Sequence, residues 1–225
     1  MPAFIPILLA GALCGPARAA DHELSLELGA LGTADERFDL FREGALIRTW
    51  GARGGVALHE NVSVLLGYHR GAWGSEVGIS AEDGEGDGDD DGVDTFQAAY
   101  QGHHLLLGPK VDLRVTDWLR PYGTVQGAAL IGRVLLDDDP DHDDNENQLS
   151  ATSVNPGGVV ALGVDVVPIR KRQALRFGSH LEMGYGLMAA TGFTATPPGG
   201  GGEKFEIARF GFGGFYLRAG VGAYF

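Results

Sequence analysis

One cysteine, Cys14, stands in a chain of 225 residues, so no disulfide can form within it. Leu13 precedes that cysteine where a lipoprotein signal needs a small residue, which argues against a lipid anchor. Basic residues are scarce: 17 Lys and Arg against 30 Asp and Glu leave a net charge of -13, which excludes nucleic acid as a partner because phosphate binding needs clustered cations. No window beyond residue 20 offers 18 uninterrupted apolar residues, so a spanning helix is not expected and any membrane crossing has to use strands. Glycine is abundant, at 37 residues, but it is scattered through alternating apolar runs, which excludes a collagen or linker reading.

What is present begins with MPAFIPILLAGALCGPARAA, an apolar stretch followed by the small-x-small site Ala17-Arg18-Ala19. It reads as a secretory signal peptide over residues 1–19, although no Lys or Arg precedes its apolar core, with one domain expected over residues 20–225. The acid is concentrated in two blocks, AEDGEGDGDDDGVD and DDDPDHDDNENQ, which cannot bury enough surface to fold alone and read as loops.

Between these loops the chain alternates. The pattern predicts eight strands, over residues 22–30, 46–58, 62–72, 102–115, 119–135, 151–167, 174–190 and 215–225. In the last, FYLRAGVGAYF, Phe215, Leu217, Ala219, Val221, Ala223 and Phe225 share one face, while Tyr216, Arg218, Gly220, Gly222 and Tyr224 share the other. Eleven alternating residues are about the length a tilted barrel strand needs to cross a bilayer. Connections alternate long and short, as an up-and-down barrel requires, and an even strand count returns both termini to one side.

The terminal phenylalanine, with apolar residues at every second position before it, resembles the last strand of small bacterial outer-membrane β-barrels of the OmpA, OmpX and OmpW kind. The resemblance implies an all-β fold, an eight-stranded antiparallel up-and-down transmembrane β-barrel with short periplasmic turns and long extracellular loops. It further implies that Val221, Ala223 and Phe225 act as the signal read by the barrel-assembly machinery during insertion. The expected partners are outer-membrane lipid and lipopolysaccharide, the expected state is a monomer, and no cofactor is expected.

Alternation alone does not say which face points inward. A soluble periplasmic barrel would bury the apolar face around a ligand, and a membrane barrel would bury the other. Glycines lie mostly on the charged face, where a narrow lumen needs small residues, and a charge at mid-membrane on the lipid side would cost about 2–4 kcal/mol. The charged face is therefore expected inside, with a lumen network of Glu27, Arg53, Lys110, Asp112, Arg114, Arg176, His180, Glu182 and Arg218. Trp50, Tyr68, Trp73, Trp118 and Tyr224 fall near strand ends and are expected in interfacial girdles.

Chemistry has few candidates. Ser179, His180 and Glu182 invite comparison with lipid A-modifying barrel enzymes, but along a strand Ser179 points away from the other two, so nucleophile and base cannot meet. Asp87, Asp89 and Asp91, with Gly92, follow the spacing of a calcium loop but lack its closing Glu, which leaves at most weak divalent binding. The functional expectation is a non-enzymatic barrel with a structural or surface-interaction role; a narrow channel for small or hydrophobic solutes is the alternative.

Overall fold

Large apolar residues at every second position, separated by small or charged ones, put the chain in the extended conformation, whose side chains leave opposite faces of a sheet. The computed structural model describes residues 22–32, 46–79, 94–113, 115, 116, 118–137, 149–168, 175–195 and 204–225. Its strands are β1 (Glu23–Gly32), β2 (Leu46–His59), β3 (Val62–Ile79), β4 (Asp94–Asp112), β5 (Leu119–Asp137), β6 (Leu149–Val166), β7 (Arg176–Met188), β8 (Thr191–Ala195), β9 (Phe205–Phe210) and β10 (Gly214–Tyr224). No helix among the described residues is long and apolar enough to cross a membrane, which says nothing about strands.

Eight strands close a barrel in the order β1-β10-β7-β6-β5-β4-β3-β2, every neighbouring pair antiparallel. Closure runs from Glu23 opposite Tyr224 to Leu31 opposite Tyr216. It is extended by a pair of backbone bonds, His22 N to Phe225 O at 2.8 Å and Phe225 N to His22 O at 3.0 Å. His22, the first described residue, and Phe225 therefore lie at one rim, the terminal end; the other rim is the distal end.

The wall is uneven. Strands β3 to β6 run 18 or 19 residues and carry on distally past β1, β2, β7 and β10, which run 10 to 14. Alternation alone places the distal ends of β3 and β4 in loops, because Gly- and Ala-rich stretches there carry a weaker apolar signal.

Beyond β7 the structure departs from expectation. The stretch from Thr191 to Gly213, which reads as a loop, contains the separate hairpin β8–β9. Strand β8 stands against the distal half of β6, with Ser153 and Thr191 hydroxyls hydrogen bonded and Asn155 Nδ2 donating to Ala189 O at 3.0 Å. On β9 the pair Glu206 and Arg209 lies exposed at 3.1 Å, and the Arg209 hydrogen bond draws the Glu206 carboxyl below its ordinary value. Exposed pairs of this kind contribute little to stability.

Burial decides which face is inside. Leu26, Leu28, Phe177 and Leu187 are 68, 71, 70 and 68% exposed, whereas Glu27 and Glu182 are 2 and 1% exposed. So large an apolar exterior cannot be wetted; it is the lipid-facing wall of a membrane barrel, and a soluble barrel with an apolar ligand chamber is excluded. Trp50, Tyr68 and Trp118 stand exposed on that wall. Tyr224 does not: it is 2% exposed and faces the lumen at the terminal end, on the same side as Arg218. The Trp73 side chain lies outside the described set.

Close strand approach explains one inward glycine. A Cβ at Gly108 would stand 2.7 Å from Gln126 Cα and nearer still to Val125 O, both backbone atoms of β5. Gly108→Val should therefore block closure of the barrel between β4 and β5, and gel mobility without boiling would show no compact species.

Candidate functional site

Alternation delivers one inward residue for every two along each strand, and all eight barrel strands deliver polar ones to the terminal half of the lumen. Arg53 on β2 is the hub. Its Nε lies 2.8 Å from Glu23 Oε1, and its Nη1 lies 3.2 Å from both Glu27 Oε1 and Glu182 Oε2. It thus faces three carboxylates from β1 and β7. Toward the terminal end, Lys110 Nζ takes Glu23 Oε2 at 2.8 Å, Asp165 Oδ2 at 2.5 Å and Asp112 Oδ1 at 3.5 Å, and sits 4.4 Å from the centre of the Tyr122 ring.

Glu27 and Glu182 anchor the distal side of the network. Glu27 is approached by His69 Nε2 at 2.5 Å and His180 Nε2 at 2.7 Å. Glu182 accepts hydrogen bonds from the Tyr122 hydroxyl at 3.1 Å and the Tyr216 hydroxyl at 3.0 Å, and pairs with Arg218 Nη1 at 3.4 Å. Arg218 in turn lies over the Tyr216 ring at 4.1 Å. Each buried charge here has a partner of opposite sign, the condition under which charges survive burial.

Seven of the nine residues expected in the lumen network meet there: Glu27, Arg53, Lys110, Asp112, His180, Glu182 and Arg218. Arg114 lies outside the described residues. Arg176 sits at the terminal rim, opposite Tyr224, six residues along β7 from Glu182 and out of its reach. Sequence reasoning left out Glu23, His69 and Tyr122, all inward by alternation, because a face assignment does not say which inward residues meet. It also singled out Asp87, Asp89 and Asp91, which lie outside the described residues; no cluster able to hold a metal occurs among those described.

A polar lumen throughout was the expectation, and it describes only the terminal half. The distal half is largely apolar: Leu31, Ile47, Leu106, Leu130, Val134 and Val159 turn inward there and are 7% exposed or less, beside the buried polar side chains of His104, Ser153 and Asn155. Phe193 of β8 and Phe212, which follows β9, complete this cluster at 0 and 1% exposure, Phe212 stacking on Tyr100 with ring centres 5.3 Å apart and meeting Phe193 edge-on at 6.5 Å. The cluster packs beside Tyr216, which reaches back to Glu182, so the two halves are joined.

Chemically the site holds its central charges away from solvent, while Asp112 at its terminal edge is partly exposed. His69 at 1%, Glu182 at 1% and Arg53 at 2% exposure are not reached by solvent, and side chains lining a water-filled pore would be. Ser179 lies exposed on the outer wall while His180 and Glu182 are buried inside, so these three do not form a catalytic set.

No protein-family model matches the chain, and no curated protein matches its sequence. Among solved structures it is similar to the outer membrane protein OprG from Pseudomonas aeruginosa, with a TM-score of 0.56 at 12% identity over 92% of this chain and 96% of that one. A major outer membrane protein from Thermus thermophilus follows at a TM-score of 0.49 and 14% identity, covering 91% of this chain and 98% of that chain. Neisserial surface protein A gives a TM-score of 0.46 at 8% identity over 90% and 95% of the two chains. The likeness to OprG shows the fold: this chain is a closed eight-stranded barrel of the outer-membrane kind.

Proposed function

We propose that this chain is a non-enzymatic protein of a Gram-negative outer membrane, its termini in the periplasm, whose lumen serves to hold the wall rigid while the distal connections meet the environment. The observation that supports this most is the unsolvated charge network to which all eight barrel strands contribute, stacked beneath an apolar cluster that includes Phe193 and Phe212. A lumen filled in this way stiffens a scaffold and carries no current. The acidic segments between β3 and β4 and between β5 and β6 belong to the distal, outward side in this reading, where they are the surface available to a partner.

Insertion by the barrel-assembly machinery would read Val221, Ala223 and Phe225, which follow one another on the outer face at the terminal rim, Val221 65% and Phe225 44% exposed. Fractionation with gel mobility measured before and after boiling tests the location. Outer-membrane recovery with a boiling-dependent shift is the expected result, and a soluble protein of ordinary mobility would overturn it. In planar bilayers the purified barrel should give no unitary conductance steps. A second reading, a route for small apolar solutes, draws on the apolar distal lumen; steady steps, or uptake of an apolar dye into vesicles carrying the barrel, would favour it instead.

A further inference from the structure

Among the described side chains, charge on the outer wall of the barrel is of one sign. Among the described side chains of the eight barrel strands, the charged groups that point outward are Arg48 on β2, Arg70 on β3 and Arg133 on β5, with His103 of β4 between them. Arg48 and Arg133 are exposed, and none of the three arginines has an acidic partner among the described residues. This is unexpected on a chain of net charge -13, and it is confined to one sector.

Register gathers these groups. Arg70 lies opposite Trp50 on one side and His103 on the other, and Arg133 lies opposite Gln101, one outward position above His103. Arg48 is one outward position above Trp50. Strands about 4.8 Å apart make the patch roughly 14 Å wide across β2 to β5. Its height also follows from the strands: Arg70 is eight residues above Val62 at the terminal end of β3, about 27 Å along the strand and roughly 20 Å up the barrel axis at a tilt near 40°. The apolar band of such barrels is about 25 Å tall, so Arg70 sits at its upper edge, with Arg48 and Arg133 one outward position further along the wall.

That level is an interface. Tyr68 and His103 share a hydrogen bond of 2.7 Å on the outer wall, and Trp50 is 56% exposed in the same row as Arg70. Below them the wall is Leu66, Leu105 and Leu107, 60, 43 and 57% exposed. Guanidinium groups at this depth are placed for phosphate, which they grip with paired N–H donors. Acyl chains would lie along the leucines beneath.

We propose that Arg48, Arg70, His103 and Arg133 form a docking face for the phosphate groups of lipid A in the outer leaflet. The inference rests on the reading of the chain as an outer-membrane barrel with periplasmic termini, since only that orientation puts the patch among lipopolysaccharide.

The test uses the full-length protein folded in detergent and titrated with bis-phosphorylated lipid A, with lipid A stripped of both phosphates, with phosphatidylglycerol and with inorganic phosphate. Bis-phosphorylated lipid A should bind tightest, and the triple variant Arg48→Ser, Arg70→Ser, Arg133→Ser should bind it about a hundredfold more weakly, roughly fivefold for each arginine. These side chains touch nothing in the lumen, so the variant should keep its boiling-dependent mobility; if it does not, Arg133→Ser alone should still show the single-residue loss. Unchanged binding by the variants, or phosphatidylglycerol or inorganic phosphate competing on equal terms, would overturn the proposal. Failure of the barrel reading itself would show separately, as a wild-type protein whose mobility does not respond to boiling.

Discussion

Arg53→Ala should lower the stability of the folded barrel by about 3–5 kcal/mol, the cost of leaving buried carboxylates without their cation. Glu23, Glu27 and Glu182 all lie within 3.2 Å of the Arg53 guanidinium. Lys110 still holds Glu23 and Arg218 still holds Glu182, but Glu27 is left with His69 and His180 alone. Urea unfolding in detergent, followed by the fraction of unboiled compact species, measures the shift in midpoint. Glu182→Ala should also destabilise, since it strands Arg218 and leaves the Tyr122 and Tyr216 hydroxyls without their acceptor. Because both residues share one ion pair, the double variant should cost less than the two single changes summed. Strict additivity, or an unchanged midpoint for Arg53→Ala, would mean that the pairs carry no such energy.

Phe212→Ala should cost about 3–5 kcal/mol by opening a cavity where the ring now stacks on Tyr100 and meets Phe193. The hairpin β8–β9 is also tied to the barrel by the Ser153–Thr191 hydroxyl contact and by packing of β8 against β6. Loss of the ring should therefore loosen the hairpin as well, and trypsin should cleave after the exposed Lys204 faster than in the wild type. The polar network below is held by its own ion pairs, so the variant should still pass no current. A midpoint and cleavage rate both unchanged would show that the aromatic cluster contributes nothing to closing the distal end.

Within a strand the side-chain period is two, so a single strand's sequence already separates its faces. Leu24, Leu26 and Leu28 against Glu23, Ser25 and Glu27 is legible without any neighbour, and so are the count of the barrel strands and the run of Val221, Ala223 and Phe225 on one face. Two things were harder to see. The hairpin β8–β9 is five and six residues long and embedded among Gly and Pro, with only Phe193, Phe205, Ile207 and Phe210 as large apolar residues to mark it. Arg48, Arg70 and Arg133 look like scattered surface residues until β2 to β5 are laid side by side.

By itself, then, the sequence separated the two faces of each barrel strand and counted the eight strands of the wall. Only the tertiary structure decided that Glu27 of β1 meets His69 of β3, 42 positions away, and His180 of β7, that Arg53 gathers three carboxylates, and that the lumen divides into a charged half and an apolar half. The physical reason is that alternation fixes direction but not height. Which inward side chains share a level depends on the stagger between strands when the sheet closes on itself, and that stagger is a property of all eight strands together.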